Sequence, residues 1–294
     1  MTNKTHRGTI FVEDAEVISQ QEYEGSQYII RVAAPKCAAK AMPGSFVHIS
    51  CDPALPMRRP MSIMRVSRED GWVEMLYKSI GEGTRLLAMR KPGESVSVVG
   101  PIGKPFELNP DRPRPLLIGG GVGIPPMVFV ADAIRGDKRA NWNPFVIMGS
   151  EIPFPFKTKP SQIMVPGLPE GVIACMPLLD DWNIPSRLAS LKGYPGCFEG
   201  YVTDLASAWL DSLEPKQRAE VEILACGPTP MLQAVANTAR NYSLPCQVSL
   251  EEYMACAVGG CAGCVVEIQT ENGPAMKRVC VDGPVFDAAQ VFPA

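Results

Sequence analysis

The stretch Leu116-Leu-Ile-Gly-Gly-Gly-Val-Gly-Ile-Pro-Pro126 decides how the central part of this chain folds. The apolar residues predict a short buried strand, the glycines predict a turn, and residues 126–135 have the composition of a helix. Glycines between a strand and a helix let a diphosphate approach the backbone at the helix N-terminus. The pattern here is G-x-G-x-x-P and lacks the third glycine of the dinucleotide fingerprint, so a purely structural turn stays open as an alternative.

Strand and helix patterns alternate along the chain after this turn. Strands are predicted at residues 144–148, 172–175 and 221–225, and helices at residues 202–213 and 230–241. This alternation predicts a parallel sheet flanked by helices. A second strand-to-helix turn, Cys226-Gly227-Pro228, is expected at the same carboxyl edge of the sheet as the first, where such folds bind ligands. The two turns together predict a nucleotide site.

The first hundred residues have a different rhythm. Residues 8–108 contain short runs that alternate or are β-branched, with glycine or proline between them, and this pattern predicts a small all-β barrel. The proline-rich joint at residues 109–115 cannot continue a strand or a helix, so it predicts a domain boundary. We expect domains at residues 8–108, 112–243 and 245–294.

Two motifs in the barrel region carry groups that suit a flavin diphosphate. Arg58-Arg59-Pro60-Met61-Ser62 supplies guanidinium and hydroxyl groups, and Gly81-Glu-Gly83-Thr84 supplies a glycine turn with a hydroxyl. A guanidinium can bind two phosphate oxygens at once. A surface arginine pair and an ordinary turn explain the same residues equally well when the motifs are taken alone.

Four of the ten cysteines form a constellation with the spacing C-x4-C-x2-C…C: Cys256, Cys261, Cys264 and Cys280. This is the plant-type [2Fe–2S] spacing. The glycines at positions 259, 260 and 263 suit a loop that wraps a cluster, and Cys280 is expected on a neighbouring strand. A structural zinc ion is the alternative, although zinc ribbons usually pair two short Cys-x2-4-Cys knuckles. The other six cysteines are scattered and are expected to be mostly small buried residues: Cys37, Cys51, Cys175, Cys197, Cys226 and Cys246.

Length and charge exclude several classes of protein. The 294 residues predict two domains, or two and an appendage, and the net charge of −3 argues against a nucleic-acid partner. No signal peptide and no membrane-spanning segment is predicted, which indicates a cytoplasmic chain. His6 and His48 lie in no motif and are interpreted as surface or core residues. Glu251 and Glu252 could line an interface or a nucleotide pocket, or could form a solvated acidic pair.

The order of these motifs resembles the ferredoxin-NADP reductase superfamily. With Ser249-Leu-Glu-Glu-Tyr-Met-Ala-Cys256 before the cysteine loop and Val279-Cys-Val-Asp-Gly-Pro-Val-Phe286 after it, residues 8–286 resemble the iron–sulfur electron-transfer subunits of type B dihydroorotate dehydrogenase. The resemblance implies a multidomain β then α/β fold. Its parts would be an N-terminal FAD-binding β-barrel, a middle parallel-sheet domain that binds NAD(H), and a C-terminal [2Fe–2S] segment.

The resemblance also implies three sets of site residues. FAD would be held by Arg59, Pro60, Met61, Ser62, Leu76, Tyr77, Lys78, Gly83 and Thr84, with Ser62 near the redox-active ring as the catalytic candidate. The nicotinamide nucleotide would face Gly120, Gly121, Gly123, Cys226, Gly227 and Pro228. The four clustered cysteines would hold the iron. Met61 stands where reductases of this superfamily often have tyrosine, which predicts aliphatic contact with the flavin, and Ala257 stands where relatives frequently have glycine.

The resemblance implies a relay of electrons from dihydroorotate, oxidised on an FMN-containing catalytic partner subunit, to NAD⁺ by way of the cluster and FAD. It also implies a heterotetramer with that partner. The small subunit of an NADH-dependent ferredoxin:NADP oxidoreductase, or a hydrogenase or sulfur-reductase diaphorase subunit, is the rival within the same class. A zinc-stabilised interaction protein is the non-enzymatic rival. The sequence leaves the choice between NADH and NADPH, and the direction of flux, open.

Overall fold

The first part of the chain is a closed six-stranded antiparallel barrel in the computed structural model, which describes residues 8–293. This confirms the all-β barrel predicted from the sequence. The strands follow the order β1-β2-β5-β4-β3-β6 around the barrel. Their bounds are β1 Phe11–Tyr23, β2 Gln27–Ala33, β3 Phe46–Ile49, β4 Arg59–Ser67, β5 Trp72–Lys78 and β6 Ser95–Ile102. Two short helices, α1 (Pro35–Lys40) and α2 (Glu82–Ala88), lie between strands.

Strands β3 and β4 have one face inside the barrel and one outside. Side chains alternate between the two faces of a strand, and the inner ones are buried in the barrel core: Val47, Ile49, Met61 and Ile63. On the outer face the register places Phe46 opposite Ser62 and His48 opposite Pro60. These four residues therefore form one strip on the outside of the barrel, beside the motif that is predicted to hold the flavin.

The second part is a six-stranded sheet with helices, as predicted from the alternating pattern. The order is β11-β8-β7-β12-β13-β16, in which β16 is antiparallel and the other neighbours are parallel. The strands are β7 Arg114–Gly120, β8 Phe145–Gly149, β11 Ser186–Ala189, β12 Val221–Cys226, β13 Cys246–Ser249 and β16 Val285–Asp287. The helices are α3 Ile124–Gly136, α4 Pro177–Asp181, α5 Val202–Ser212, α6 Pro215–Ala219, α7 Thr229–Asn241, α8 Val279–Asp282 and α9 Ala288–Val291.

Three local predictions are wrong. The strand predicted at residues 172–175 is only β10 (Ala174–Cys175), which pairs with β9 (Lys159–Pro160) outside the main sheet. The strand predicted around Cys280 is the single-turn helix α8, where the Asp282 carboxylate accepts a hydrogen bond of 2.8 Å from the backbone N–H of Arg278. The prolines of the joint do not exclude a strand, since Pro115 lies in β7. Pro115 lies opposite Glu222 of β12, and pairing with β8 begins only at the next residue.

A ladder of arginine and tryptophan side chains joins the barrel to the α/β part. The guanidinium of Arg65, on β4, lies 5.7 Å from the ring centre of Trp72 and 5.4 Å from that of Trp182, beyond α4. Arg31 and Arg135 extend the ladder at its two ends, at 4.0 and 4.5 Å from the same two rings. Cation–π contacts of this kind fix orientation as well as add stability. Helix α3 also packs on β4, which brings the glycine turn before α3 close to the barrel.

The cysteine segment is attached to both parts. Strands β13 and β16 belong to the main sheet, and the hairpin of β14 (Val265–Thr270) and β15 (Gly273–Arg278) stands beside it. On the barrel side, the backbone N–H of Lys104 donates a hydrogen bond of 2.6 Å to the carbonyl of Gly283. The sheet thus takes its last two strands from beyond residue 245, while the division into three domains stays a prediction. The longest helices of residues 8–293, α3 and α7, have 13 residues, and no helix in that range is long and apolar enough to cross a membrane.

Candidate cofactor sites

The two glycine turns meet at the carboxyl edge of the parallel sheet. Strands β7 and β12 are neighbours, with Gly119 opposite Cys226. A β-carbon added at Gly123 would lie 2.2 Å from the carbonyl oxygen of Cys226. Only glycine allows this approach of the two backbones. The structure therefore brings together all six residues that were predicted to face the nucleotide: Gly120, Gly121, Gly123, Cys226, Gly227 and Pro228.

Side chains close this edge from below and from one side. Met231 packs under both turns, because its sulfur would lie 2.4 Å from a β-carbon at Gly120 and 3.0 Å from one at Gly227. The Cys226 thiol is fully buried, and burial, together with the nearby Glu251 carboxylate, raises its pKa well above the usual value. Cys226 is thus a neutral thiol that shapes the turn through its backbone. Glu251 belongs beside this turn, which favours the pocket interpretation of that residue.

The guanidinium of Arg59 lies directly over Gly83. A β-carbon at Gly83 would be 3.1 Å from the guanidinium carbon, so the glycine makes room for the arginine. The Nη1 atom of the arginine donates hydrogen bonds of 2.8 Å to the carbonyl of Met57 and 3.2 Å to that of Arg58, while its Nε and Nη2 atoms donate to no acceptor within residues 8–293. Thr84 occupies the first turn of α2, where its Oγ1 accepts hydrogen bonds of 3.1 Å from the N–H groups of Ile80 and Gly81. The predicted glycine turn is therefore the start of a helix, with one cationic side chain held across it.

The other predicted flavin residues divide between the two faces of the barrel wall. Ser62 and Leu76 lie on the outer face, and β5 contacts the Gly121–Gly123 turn there. Lys78 shares that face at the end of β5, and Pro60 lies opposite His48. Met61 and Tyr77 turn inward, and the Tyr77 hydroxyl donates a hydrogen bond of 2.9 Å to Gln20. Met61 and Tyr77 can therefore serve an outer-face ligand only through their backbones.

The four clustered cysteines form two pairs. The sulfur atoms of Cys264 and Cys280 are 3.3 Å apart, and both residues are buried. The Cys261 side chain and its backbone hydrogen-bond to Cys256. Burial raises the pKa of Cys280 to about 12. For Cys256 burial also acts to raise the pKa, but hydrogen bonds from the backbone of Val258 and Gly260 and from Cys261 together outweigh it and lower the pKa to about 7. One pair is thus enclosed and the other lies near the surface.

This paired arrangement fits a two-iron cluster better than a single ion. In a [2Fe–2S] cluster each iron binds two thiolates and the two bridging sulfides. Two thiolates on one tetrahedral metal with bonds of about 2.3 Å lie about 3.8 Å apart, close to the separation of the buried pair. The two pairs of thiols therefore fit the donor set of the predicted cluster.

The loop between the cysteines has the backbone conformations of a tight wrap. Gly259 has a φ of +81°, and its carbonyl accepts a hydrogen bond of 3.0 Å from the Arg278 side chain. Ala257 and Ala262 also lie in the left-handed region, with φ of 57° and 53°. The departure noted at Ala257 thus falls on a residue whose backbone favours glycine. Gly260 and Gly263 have no such φ and instead leave space beside the sulfurs of Cys256 and Cys261.

Some residues lie near the candidate sites although no motif in the sequence predicts that position. His48 is buried next to the cluster segment, although it lies in no motif, and the interpretation of it as a core residue is confirmed. His6 lies outside the described residues. Of the six scattered cysteines, five are buried and Cys197 is half-buried, as predicted. The position of His48 depends on pairing between distant strands, so only the full fold reveals it.

Comparison with known proteins identifies relatives along almost the whole chain. Residues 251–292 match the family model of the iron-sulfur cluster binding domain of dihydroorotate dehydrogenase B. The electron transfer subunit of dihydroorotate dehydrogenase B (NAD(+)) from Desulforamulus reducens is 32% identical over 95% of this chain and 98% of its own length. The corresponding subunit from Bacillus caldolyticus is 34% identical with the same coverage.

Solved structures show the same fold. The NADH-dependent reduced ferredoxin-NADP oxidoreductase structure has a TM-score of 0.75 and 26% identity, covering 95% of this chain and 90% of that one. The ferredoxin reductase of carbazole 1,9a-dioxygenase has a TM-score of 0.62 at 21% identity, covering 80% of this chain and 67% of that one. The barrel and the sheet thus have the fold of these reductases. From the near full-length identity and the matching cysteine segment, this chain belongs to the family of electron transfer subunits of dihydroorotate dehydrogenase B.

Proposed function

We propose that this chain passes electrons from dihydroorotate, oxidised on the FMN of a catalytic partner subunit, to NAD⁺. Dihydroorotate gives up two electrons and two protons, NAD⁺ takes up two electrons and one proton, and the second proton is released. When bound, the [2Fe–2S] cluster carries single electrons and FAD pairs them for transfer as a hydride. The protein's part is to hold these groups close together and in the right order.

The single observation that supports this order is the place of Phe46. On β3 it lies opposite Ser62 of the candidate flavin strand. It also belongs to the apolar cluster that contains Cys264 and Cys280. Phe46 therefore links the candidate flavin face to the apolar cluster that encloses the buried pair of cysteines. Such closeness is what a transfer of electrons between two bound groups needs.

We assign the flavin to the outer face of the barrel. Arg59 would bind the diphosphate through its Nε and Nη2 atoms, because its guanidinium is held across the start of α2 by the bonds of Nη1 to the carbonyls of Met57 and Arg58. Ser62 would present its hydroxyl to the flavin ring, and Leu76 would pack against it. Gly83 and Thr84 would shape the turn, and Pro60, Met61, Tyr77 and Lys78 complete the proposed set. The barrel, residues 8–108, is thus the proposed FAD domain.

The nicotinamide nucleotide is assigned to the edge formed by the two glycine turns, in residues 112–243. The diphosphate would lie against the backbone of Gly121 and the start of α3, as such turns allow. Glu251 lies beside this edge, and crowding around its carboxylate raises its pKa although the side chain keeps contact with solvent. The cluster segment, residues 245–294, thereby contributes one acidic side chain to the nucleotide pocket.

The cluster loop is our candidate for the surface that meets the catalytic partner in a heterotetramer. Cys261 is exposed, and the neighbouring Tyr253 exposes 93% of its surface. Val258 is a further exposed apolar residue of the same loop. Exposed apolar side chains around a ligand that reaches the surface are typical of an interface for electron transfer. The same proposal places the complex in the cytoplasm, where free thiols persist.

A ferredoxin:NADP oxidoreductase subunit is the second candidate, since the structure of such an enzyme shares the fold over nearly the whole chain. Gene context and a direct assay separate the two. The purified chain is mixed with the FMN-containing dihydroorotate dehydrogenase subunit of the same organism, and NAD⁺ reduction by dihydroorotate is followed at 1:1 stoichiometry. We expect reduction only when both chains are present. Electron transfer that requires ferredoxin, with none from dihydroorotate, would favour the second candidate.

A further inference from the structure

His48 is buried between the candidate flavin strand and the cluster segment. Only 1% of its surface is exposed. The register of β3 and β4 places it opposite Pro60, on the outer strip of the barrel that also carries Phe46 and Ser62. Unlike Phe46 and Pro60 in that strip, it has a side chain that can donate and accept hydrogen bonds.

The imidazole lies near the backbone of two segments. Backbone groups of Met254, two residues before Cys256, and of Arg58, next to Arg59, are close enough to the ring to oppose the lowering of its pKa by burial. The Arg58 guanidinium also lies 3.4 Å from the carbonyl of His48 and 2.7 Å from that of Ser97, which ties β3, β4 and β6 together at this point. The ring therefore lies between the candidate FAD motif and the start of the cluster loop.

One ring atom has no partner. The Nε2 atom is buried and has no hydrogen-bond partner among residues 8–293. Buried polar atoms are almost always paired, so an unpaired one points to a group that binds beside it. Burial and the charge of Arg58 lower the pKa of His48, so the ring is neutral at pH 7 and offers one donor and one acceptor.

We propose that His48 is a positioning residue that holds the cluster loop against the flavin strand and, through Nε2, hydrogen-bonds in the space between the two bound groups, thereby setting how an electron is shared between them. The inference rests on the proposed function. In the step concerned, one electron leaves the reduced cluster and enters the flavin, and no covalent bond forms or breaks.

Three substitutions separate the roles of the two ring nitrogens. His48→Gln places an amide near the position of Nε2, His48→Asn places one near Nδ1, and His48→Leu removes both at similar volume. Gln27→Leu is the matched control, because Gln27 is a buried polar residue of the same barrel that bridges elsewhere, to the carbonyl of Pro153 at 2.7 Å. The full-length variants are purified anaerobically, and FAD and iron are assayed before any redox measurement.

The measurement is a reductive titration in which flavin absorbance and the electron paramagnetic resonance of the reduced cluster are recorded together. Loss of one hydrogen bond is expected to change the ratio of reduced cluster to reduced flavin about tenfold. For a one-electron couple this corresponds to a change of about 59 mV in the difference between the two reduction potentials. We expect this shift in His48→Leu and His48→Asn, and a distribution within about twofold of wild type in His48→Gln and Gln27→Leu.

Two outcomes would overturn the inference. An unchanged distribution in His48→Leu with both groups bound would show that the ring only fills space. Loss of FAD or iron in all three variants, including His48→Gln, would show that the residue is needed for assembly alone. A wild-type chain without FAD and iron would overturn the proposed function itself, and is recognised before any variant is made.

Discussion

The nucleotide edge and the cysteine loop are both candidate binding sites formed by turns, but they differ in how tightly the protein itself packs them. At the nucleotide edge the protein alone completes the site, because two buried turns are packed backbone against backbone with Met231 beneath them. In the cysteine loop the ligands are only loosely joined, with one sulfur pair enclosed and the other near the surface. Left-handed residues add local strain there. The difference indicates that the nucleotide edge is preformed, whereas the loop depends on its metal for a fixed shape.

The largest effect is expected in the cysteine loop, which depends on its metal for a fixed shape. Cys264→Ser removes one thiolate of the buried pair, and we expect iron to fall from two atoms per chain to near zero while FAD content stays within about 20% of wild type. The reason is that the substitution removes one of the two thiolates expected to bind one of the two irons, and the cluster needs all four thiolates. Iron and flavin assays on the same sample measure this. Cys197→Ser, at a half-buried thiol far along the chain from the loop, should retain both groups.

The next effect concerns the preformed side. Gly123→Ala introduces a β-carbon 2.2 Å from the Cys226 carbonyl, so the two turns must separate. We expect the free energy of unfolding to fall by about 3 kcal/mol and NAD(H) binding to be lost, with the iron content unchanged. Urea unfolding and calorimetric titration with NADH test this. The control is Gly136→Ala at the end of α3, where an added β-carbon meets no atom within 4 Å. Equal effects of the two substitutions would contradict a preformed edge.

At the opposite end of the same sheet, Glu222 near the start of β12 is expected to make the free energy of unfolding depend on pH. Glu222 is buried on β12 and accepts a hydrogen bond of 3.0 Å from the N–H of Asn109, and burial raises its pKa to about 7. A raised carboxyl pKa disfavours the charged folded form, so stability declines as pH rises from about 4.5 to 7. Glu222→Gln keeps the acceptor without the charge, and should gain on the order of 3 kcal/mol over wild type at pH 8 but little at pH 4.5.

Urea unfolding at both pH values measures the gain from Glu222→Gln. The exposed Glu271→Gln should show no pH-dependent difference from wild type. If Glu222→Gln had the same advantage at pH 4.5 and at pH 8, ionisation of Glu222 would not be the cause.

The smallest expected effect is on the free energy of unfolding, and it tests whether left-handed residues strain the cysteine loop. Ala257→Gly relieves a φ of +57° but gives up a buried methyl group and adds chain entropy to the unfolded state. These contributions nearly cancel, so the free energy of unfolding of the iron-loaded chain should change by less than about 1 kcal/mol. Ala255→Gly, at an exposed residue outside the left-handed region, offers no relief and should destabilise by about 0.5–1 kcal/mol. A larger loss at position 257 than at 255 would contradict the role of strain.

Local signals predicted most of the fold. The barrel, the strand that ends at Gly120 and the helices on either side of Cys226 follow from hydrophobic period and from glycine and proline positions. The hydrophobic pattern of the sequence led to wrong predictions where pairing with a distant strand decides the local structure. β13 and β16 complete the sheet from within the cysteine segment, and Cys280 stands on a one-turn helix because it must face Cys264.

The sites were predictable to the extent that a residue type carries its own chemistry. Four cysteines in one spacing indicate a cluster, and two glycine turns indicate a nucleotide edge. The direction of a side chain is not encoded in this way, as Met61 and Tyr77 show by turning into the barrel core. His48 has no motif at all, because its place between the candidate flavin strand and the cluster loop arises from the register of β3 with β4.

The most direct measurement is the cofactor content of the wild-type chain purified without oxygen. Its visible spectrum is recorded, and iron, zinc and released flavin are assayed in the same sample. Our account predicts a flavin envelope with broad cluster absorption, two irons and one FAD per chain, and no zinc. A colourless protein with one zinc per chain and no flavin would contradict it, and would leave a metal-stabilised scaffold in place of an electron-transfer subunit.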